Sequence, residues 1–249
     1  MGQHFKIVTT CCNSKQWTLK CVESIMQQIY TNWSAVIVDA KSDDGTYNML
    51  VEETSHFDNI EILRNTKRET ALFNIILAID KLKPDNEDIL VFLDGDDWFY
   101  DSHVLEYLNE EYTDSDVWVT WGKYVTHPLN AHKSRCMPIP SMDCSIRKIG
   151  WMFSHLKTCK YFLWKNIKDE DLRWGKTGEY YLARDFAFMY PMLEMAGEHH
   201  RKFVSKILYV CNTENKLSDM YGNPKTQIRC AIDIRKRTPY RAQIKEQLL

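Results

Sequence analysis

The stretch Asp88-Ile89-Leu90-Val91-Phe92-Leu93-Asp94-Gly95-Asp96-Asp97-Trp98 sets an unbroken apolar run between acids. A short run of this kind reads as a strand buried on both faces. It delivers three carboxylates to its C-terminal tip. Like charges that close repel by roughly a few kcal/mol at intermediate dielectric unless a cation sits among them. Gly95 permits a tight turn, so Asp94 and Asp96 are expected to face one point while Asp97 points elsewhere. An oxygen-loving divalent ion, Mn2+ or Mg2+, that itself holds phosphates accounts for the pattern. The alternative is an acidic turn that caps a helix over Ser102 to Glu111.

Strands and helices alternate ahead of this tip. Phe5 to Thr10 is β-rich. Asn13 or Ser14 is a candidate N-cap for a helix whose Trp17, Cys21, Val22, Ile25, Met26 and Ile29 recur at three- and four-residue steps. Ser34 to Asp39 is a second strand, and Asp44 is placed to cap a helix running to about Phe57. Asn59 to Leu63 is a third strand, followed by a basic loop, Arg64 to Glu69. Ala71 to Leu82 is a helix apolar nearly all round except at Asn74. This alternation predicts an α/β fold, a three-layer α/β/α arrangement with a mostly parallel central sheet. Such sheets bind ligands at the carboxyl ends of their strands. Asp39, Lys67, Arg68, Asp94 and Asp96 all fall there, so one cleft is expected to hold them.

The second half is less regular. Asp116 to Val125 alternates as a strand should. Thr126 to Ile149 carries Pro128, Pro138 and Pro140 and reads as an irregular loop, long enough for a lid or an acceptor-facing element. A helix is expected within Trp151 to Ile167, starting near His155. Another is expected over Tyr180 to Ala196, kinked or broken at Pro191. Phe203 to Val210 is a late strand, and a final helix runs from about Lys225 toward Leu249. With neither a repeat nor a low-complexity linker, the 249 residues read as one domain.

A net charge of −2 offers no bulk attraction for nucleic acid, so no nucleic-acid partner is expected. The basic residues from Arg229 to Arg241 read as a solvated helix face, with peripheral membrane or acceptor contact as the alternative. No apolar run is long enough to span a bilayer, and no signal segment opens the chain. Eight cysteines at irregular spacing, without Cys-x-x-Cys, argue for reduced thiols and a cytoplasmic location.

Two motifs together resemble the family-2 glycosyltransferases of GT-A fold. Val36-Ile37-Val38-Asp39-Ala40-Lys41-Ser42-Asp43-Asp44-Gly45-Thr46 is similar to that family's strand-end acidic turn, and Leu93-Asp94-Gly95-Asp96-Asp97 to its Asp-x-Asp element. Cys11-Cys12 stands where Thr-Tyr is usual, and Ala40-Lys41 where Asp-Gly is usual. Later, Tyr181 to Ala187 lies where members carry an acidic pair; Arg184 replaces the first acid and Asp185 retains the second. The resemblance implies a nucleotide-sugar-binding half, 1–125, and an acceptor-side half with a C-terminal helix, 126–249. It implies that Asp39 accepts from a nucleobase, commonly uracil. Thr10 and Asp94 would contact the nucleotide, and Lys67 or Arg68 would neutralise diphosphate. Asp94 and Asp96 would hold Mn2+ or Mg2+. Asp185 would be the general base for attack of an acceptor hydroxyl, on a glycan, on a nucleoside-diphosphate sugar, with inversion.

Two other classes compete. A nucleotidyltransferase that makes sugar nucleotides wants a Gly-rich phosphate loop, and Thr9-Thr10-Cys11-Cys12-Asn13 has no Gly. A non-catalytic carbohydrate-binding module gives no reason for acids at two strand tips. His155, His199 and His200 are possible extra metal ligands, but an adjacent pair usually marks an exposed turn and a lone His is usually packed or capping. Trp151, Trp164 and Trp174 read as core rather than as sugar platforms.

Overall fold

A computed structural model of the chain describes residues 2–129, 133–140, 145–217 and 223–248. Its strands are β1 (Phe5–Cys11), β2 (Trp33–Asp39), β3 (Ile60–Arg64), β4 (Ile89–Asp94), β5 (Trp98–Phe99), β6 (Val119–His127), β7 (Lys157–Lys160) and β8 (Arg201–Asn212). Its helices are α1 (Lys15–Met26), α2 (Thr46–Glu53), α3 (Ala71–Leu82), α4 (Val104–Glu111), α5 (Tyr161–Lys165), α6 (Asp169–Leu172), α7 (Arg184–Ala196) and α8 (Pro224–Lys236). The strands form one sheet in the order β3-β2-β1-β4-β7-β6-β8-β5. The first four are parallel, so β1, β2, β3 and β4 end on one rim.

Side-chain alternation along the strands builds the two outer layers. Val8, Val36, Val38, Leu90 and Phe92 pack with Leu72 and Ile75 of α3, Phe162 of α5, Phe188 of α7 and Ile234 of α8. Ile7, Ile37, Ile89, Val91 and Leu93 pack on the opposite face with Val22 and Ile25 of α1, Leu50 of α2 and Leu105 and Leu108 of α4. Each such buried aliphatic side chain contributes about 1.5–3 kcal/mol. The mostly parallel, helix-covered sheet is the one the sequence pattern predicts.

Several element boundaries differ from expectation. His155 does not start a helix; Lys157–Lys160 is β7, antiparallel to both β4 and β6, and α5 begins only at Tyr161. The lysines of this strand are buried, and their charges are matched by Asp185 and Glu87. α7 begins at Arg184 rather than Tyr180, and it continues through Pro191 without a break because residues 187–193 are buried in the core. α2 stops at Glu53, well before Phe57. The last long helix ends at Lys236 rather than running toward Leu249. Arg237 already has extended backbone, with Pro239 close behind. Of the expected irregular loop, β6 takes the start, 133–140 has no regular structure, and 130–132 and 141–144 lie outside the described residues. Among the described residues no helix is long and apolar enough to cross a membrane.

Candidate functional site

A cavity of about 450 Å³ opens at the rim where the parallel strands end. β1 contributes Thr10 and Cys11, followed by Cys12 and Asn13. β4 and its turn contribute Asp94, Asp96 and Asp97. Arg68 and Asn74 come from the β3–α3 region, Arg184 from α7, and Asn212 and Asn215 from the end of β8. Backbone approach fixes the tip. Gly95 donates its N–H to the Thr10 carbonyl at 3.1 Å. A Cβ there would lie 2.6 Å from both that oxygen and Cys11 Cβ. Gly95 is therefore required for close approach of β4 to β1, not for a positive φ.

Each carboxylate at the tip has a different set of partners. Asp94 Oδ1 lies 2.7 Å from an Arg184 guanidinium nitrogen. Asp96 accepts from Asn215 Nδ2 at 2.9 Å. Asp97 is buried and accepts from the Tyr209 hydroxyl at 2.6 Å and the Asn212 N–H at 2.7 Å. The Tyr209 oxygen also accepts from the Asp94 N–H at 3.4 Å, which ties two of the acids to one side chain. Behind them, Lys157 Nζ sits 2.8 Å from Asp185 Oδ1. His155 stacks on Tyr209, with ring centroids 4.3 Å apart.

Electrostatics separates these acids. Burial pushes Asp96 upward, and the neighbouring Asp94 adds to the shift. Burial likewise pushes Asp97 well up, reinforced by Asp96 and Asp94. Burial alone would raise Asp94 too, but Arg184, then Lys157, hold it well below the usual carboxylate range. Asp185 is also lowered, because Lys157 and Arg184 together outweigh its desolvation. Burial brings His155 down to about 4, so its ring is neutral at ordinary pH. Arg184 matches one tip carboxylate and Lys157 is committed to Asp185. The surplus negative charge and the oxygen-rich donor set suit a hard divalent cation.

The sequence-derived candidates divide. Thr10, Arg68, Asp94 and Asp96 line one cavity. Arg68 donates to Cys12 Sγ at 3.0 Å. Lys67 lies outside that lining; it is 79 % exposed and pairs with Glu69 at 2.9 Å. Asp39 is fully buried behind Ala40 and satisfied within the protein. It accepts from the Ser42 N–H at 3.1 and 3.2 Å and lies 3.3 Å from Arg64 Nε. Asp185 stands next to Arg184, at 3.9 Å, and is not among the residues that line the cavity. Asp44 supports two helix starts, accepting from the Thr46 N–H and the Lys15 N–H, both at 3.0 Å. Sequence reasoning missed Tyr209, Lys157 and the reach of Arg184 to Asp94. Only the Arg-for-acid replacement signalled any of them.

The glycosyl transferase family 2 model matches residues 6–189. The putative glycosyltransferase EpsE of Bacillus subtilis is 28 % identical over 99 residues, covering 39 % of this chain and 34 % of EpsE. Among solved structures, S. aureus TarS 1–349 in complex with UDP-GlcNAc superposes with a TM-score of 0.64 at 16 % identity, covering 92 % of this chain and 64 % of that one. The mannosyltransferase PcManGT from Pyrobaculum calidifontis, in complex with GDP-Man and Mn2+, gives 0.63 at 15 % identity, covering 96 % and 66 %. The chain thus spans about two thirds of each structure, and its matching segment one third of EpsE.

Proposed function

The chain belongs to glycosyl transferase family 2 and has the GT-A fold, and on that premise we propose that it moves a sugar from a nucleoside-diphosphate sugar to an acceptor hydroxyl on a glycan. The observation that carries this reading is the convergence of Asp94, Asp96 and Asp97 with Arg68 and Arg184 in one cavity at the sheet rim. The cavity is of a size suited to a small-molecule ligand. TarS and PcManGT were solved with UDP- and GDP-linked sugars; the uracil-type motif around Asp39 favours a UDP-sugar here.

Thr10 and Asp94 meet the nucleotide at the end of β1 and β4. Arg68 and Arg184 face the diphosphate as cationic donors. Asp39 supports the base-side wall through Ser42 and Arg64, and it reaches a nucleobase only by exchanging the Arg64 contact. Asp94 and Asp96 would hold Mn2+ or Mg2+, which when bound supplies Lewis-acid stabilisation of the charge developing on the diphosphate.

Asp185 takes the proton of the attacking hydroxyl. Its lowered pKa keeps it ionised, and Lys157 fixes one of its oxygens. Attack from the side opposite the leaving group inverts the anomeric centre. A thermal-shift panel of UDP-, GDP- and dTDP-sugars, with and without Mn2+, tests the reading. One nucleotide class should raise Tm only when Mn2+ is present. No response to any of them would remove the donor assignment.

A further inference from the structure

His155 is a residue the glycosyl-transfer reading leaves without a task. β7 explains where it stands. The antiparallel pairing of β4 with β7 runs from Ile89↔Lys160 to Phe92↔Lys157. The pairing stops there, and His155 lies two residues back from Lys157, at the Asp94 end of the strand pair. The side chain is only 9 % exposed and borders the cavity. Its ring packs face-on against Tyr209 and edge-on against Tyr124.

Two observations set this ring apart from an ordinary core histidine. First, Nδ1 is buried and has no hydrogen-bond partner; a buried polar atom in that state is costly unless something fills its lone pair or takes its proton. Second, one ligating atom each from His155, Asp94 and Asp97 lie within 4.8 Å of one another, close enough to share a single cation. Asp97 is already oriented by Tyr209 and Asn212, as a ligating carboxylate is when neighbours hold it in place.

We propose that His155 supplies a nitrogen ligand to the divalent cation at this site, it and Asp97 adding to the carboxylates of Asp94 and Asp96. The assignment rests on the metal-dependent reading of the same cavity and adds a nitrogen donor to an otherwise all-oxygen set. An imidazole ligand favours a transition-metal ion such as Mn2+ over Mg2+, which prefers oxygen donors and retained water. The all-acid arrangement that the Asp-x-Asp pattern suggests would leave that preference weak.

Pulsed electron paramagnetic resonance on the full chain with Mn2+ and UDP, and again with GDP, tests the assignment. The bound ion should show the nitrogen hyperfine coupling of a directly attached imidazole. Growing the protein with nitrogen-15 histidine should change that coupling in the manner expected for the isotope. His155→Gln should abolish it and weaken Mn2+ binding by at least about tenfold. His155→Phe keeps the ring stack on Tyr209 and serves as a second variant if the first is poorly folded. Bound Mn2+ without imidazole coupling, or coupling that persists in both variants, would overturn the inference and leave the metal-dependent donor reading standing. Failure of Mn2+ to bind the wild-type protein with either nucleotide would end both.

Discussion

Arg184 holds its guanidinium 2.7 Å from Oδ1 of Asp94, so the first residue of α7 and the last residue of β4 form one charge pair. Both side chains are largely buried, at 17 % and 21 % exposure, which screens the pair less than a surface bridge. The pair places a fixed cation against the carboxylate that a divalent ion would also claim.

Removing that cation should therefore favour metal. Arg184→Met is expected to raise Mn2+ affinity about tenfold or more in the absence of nucleotide, because a unit charge a few ångströms away is worth roughly 1–3 kcal/mol at intermediate dielectric. The same variant should bind nucleotide sugar more weakly, since it loses a donor to the diphosphate. Calorimetric titrations with Mn2+ alone and then with UDP-sugar separate the two effects. Unchanged Mn2+ affinity would mean that Arg184 does not compete for Asp94.

Asp185 links chemistry to pH. Its folded pKa lies below the ordinary value, so its stabilising contribution is present above about pH 4 and is lost as pH falls through the lower folded value. As a general base it should leave kcat/KM without an acid limb between about pH 5 and 8. Lys157→Met removes the cation that lowers it, so an acid limb should rise toward the ordinary carboxylate range. Asp185→Asn should cut turnover by roughly 10²–10⁴ with nucleotide binding intact. It should also cost about 3 kcal/mol of stability, because Lys157, 1 % exposed, is left buried without its partner. Replacing both, as Lys157→Met with Asp185→Leu, should recover most of the stability and none of the turnover.

Gly95→Ala introduces a methyl group 2.6 Å from the Thr10 carbonyl oxygen, which is backbone and cannot swing aside. The tip of β4 must withdraw from β1, and overpacking of this kind costs about 1–3 kcal/mol. Nucleotide-dependent thermal stabilisation should disappear in the variant while the far end of the sheet stays protected in hydrogen exchange. Retention of full nucleotide response would show that the tip tolerates the shift.

Glu194 is the stability test away from the site. It pairs bidentately with Arg147, both contacts at 2.7 Å, and both side chains are under 8 % exposed. Arg147 also donates to the Ile234 carbonyl, and Glu194 accepts from the Tyr240 N–H. Glu194→Ala should cost roughly 3–5 kcal/mol in chemical denaturation, because it strands a buried guanidinium. Limited proteolysis should then cut first in the segment after Lys236, which loses its anchor at Tyr240.

The first four strands were legible because their apolar runs and the parallel order carry the signal within each element. The carboxylate tip was legible for the same reason. β7 was not. It is four residues long and carries Lys157 and Lys160, and those charges make sense only beside Asp185 and Glu87, which are distant in sequence. Reading a helix from His155 hid that ring's place beside Asp94. Adjacent Lys67 and Arg68 could not be told apart either, since only the folded loop decides which one turns inward. The replacement at Arg184 was visible as a departure from pattern, but its partner lay on another strand.

β7 also sets an order on synthesis. It covers the inner edge of β4, and it lies more than sixty residues further along the chain. While the ribosome is still adding residues beyond Asp94, the newest parallel strand carries an open row of amides and carbonyls. A nascent chain halted before Lys160 is therefore a sticky intermediate, prone to pair with its neighbours on a polysome, and one that holdase chaperones would be expected to recognise.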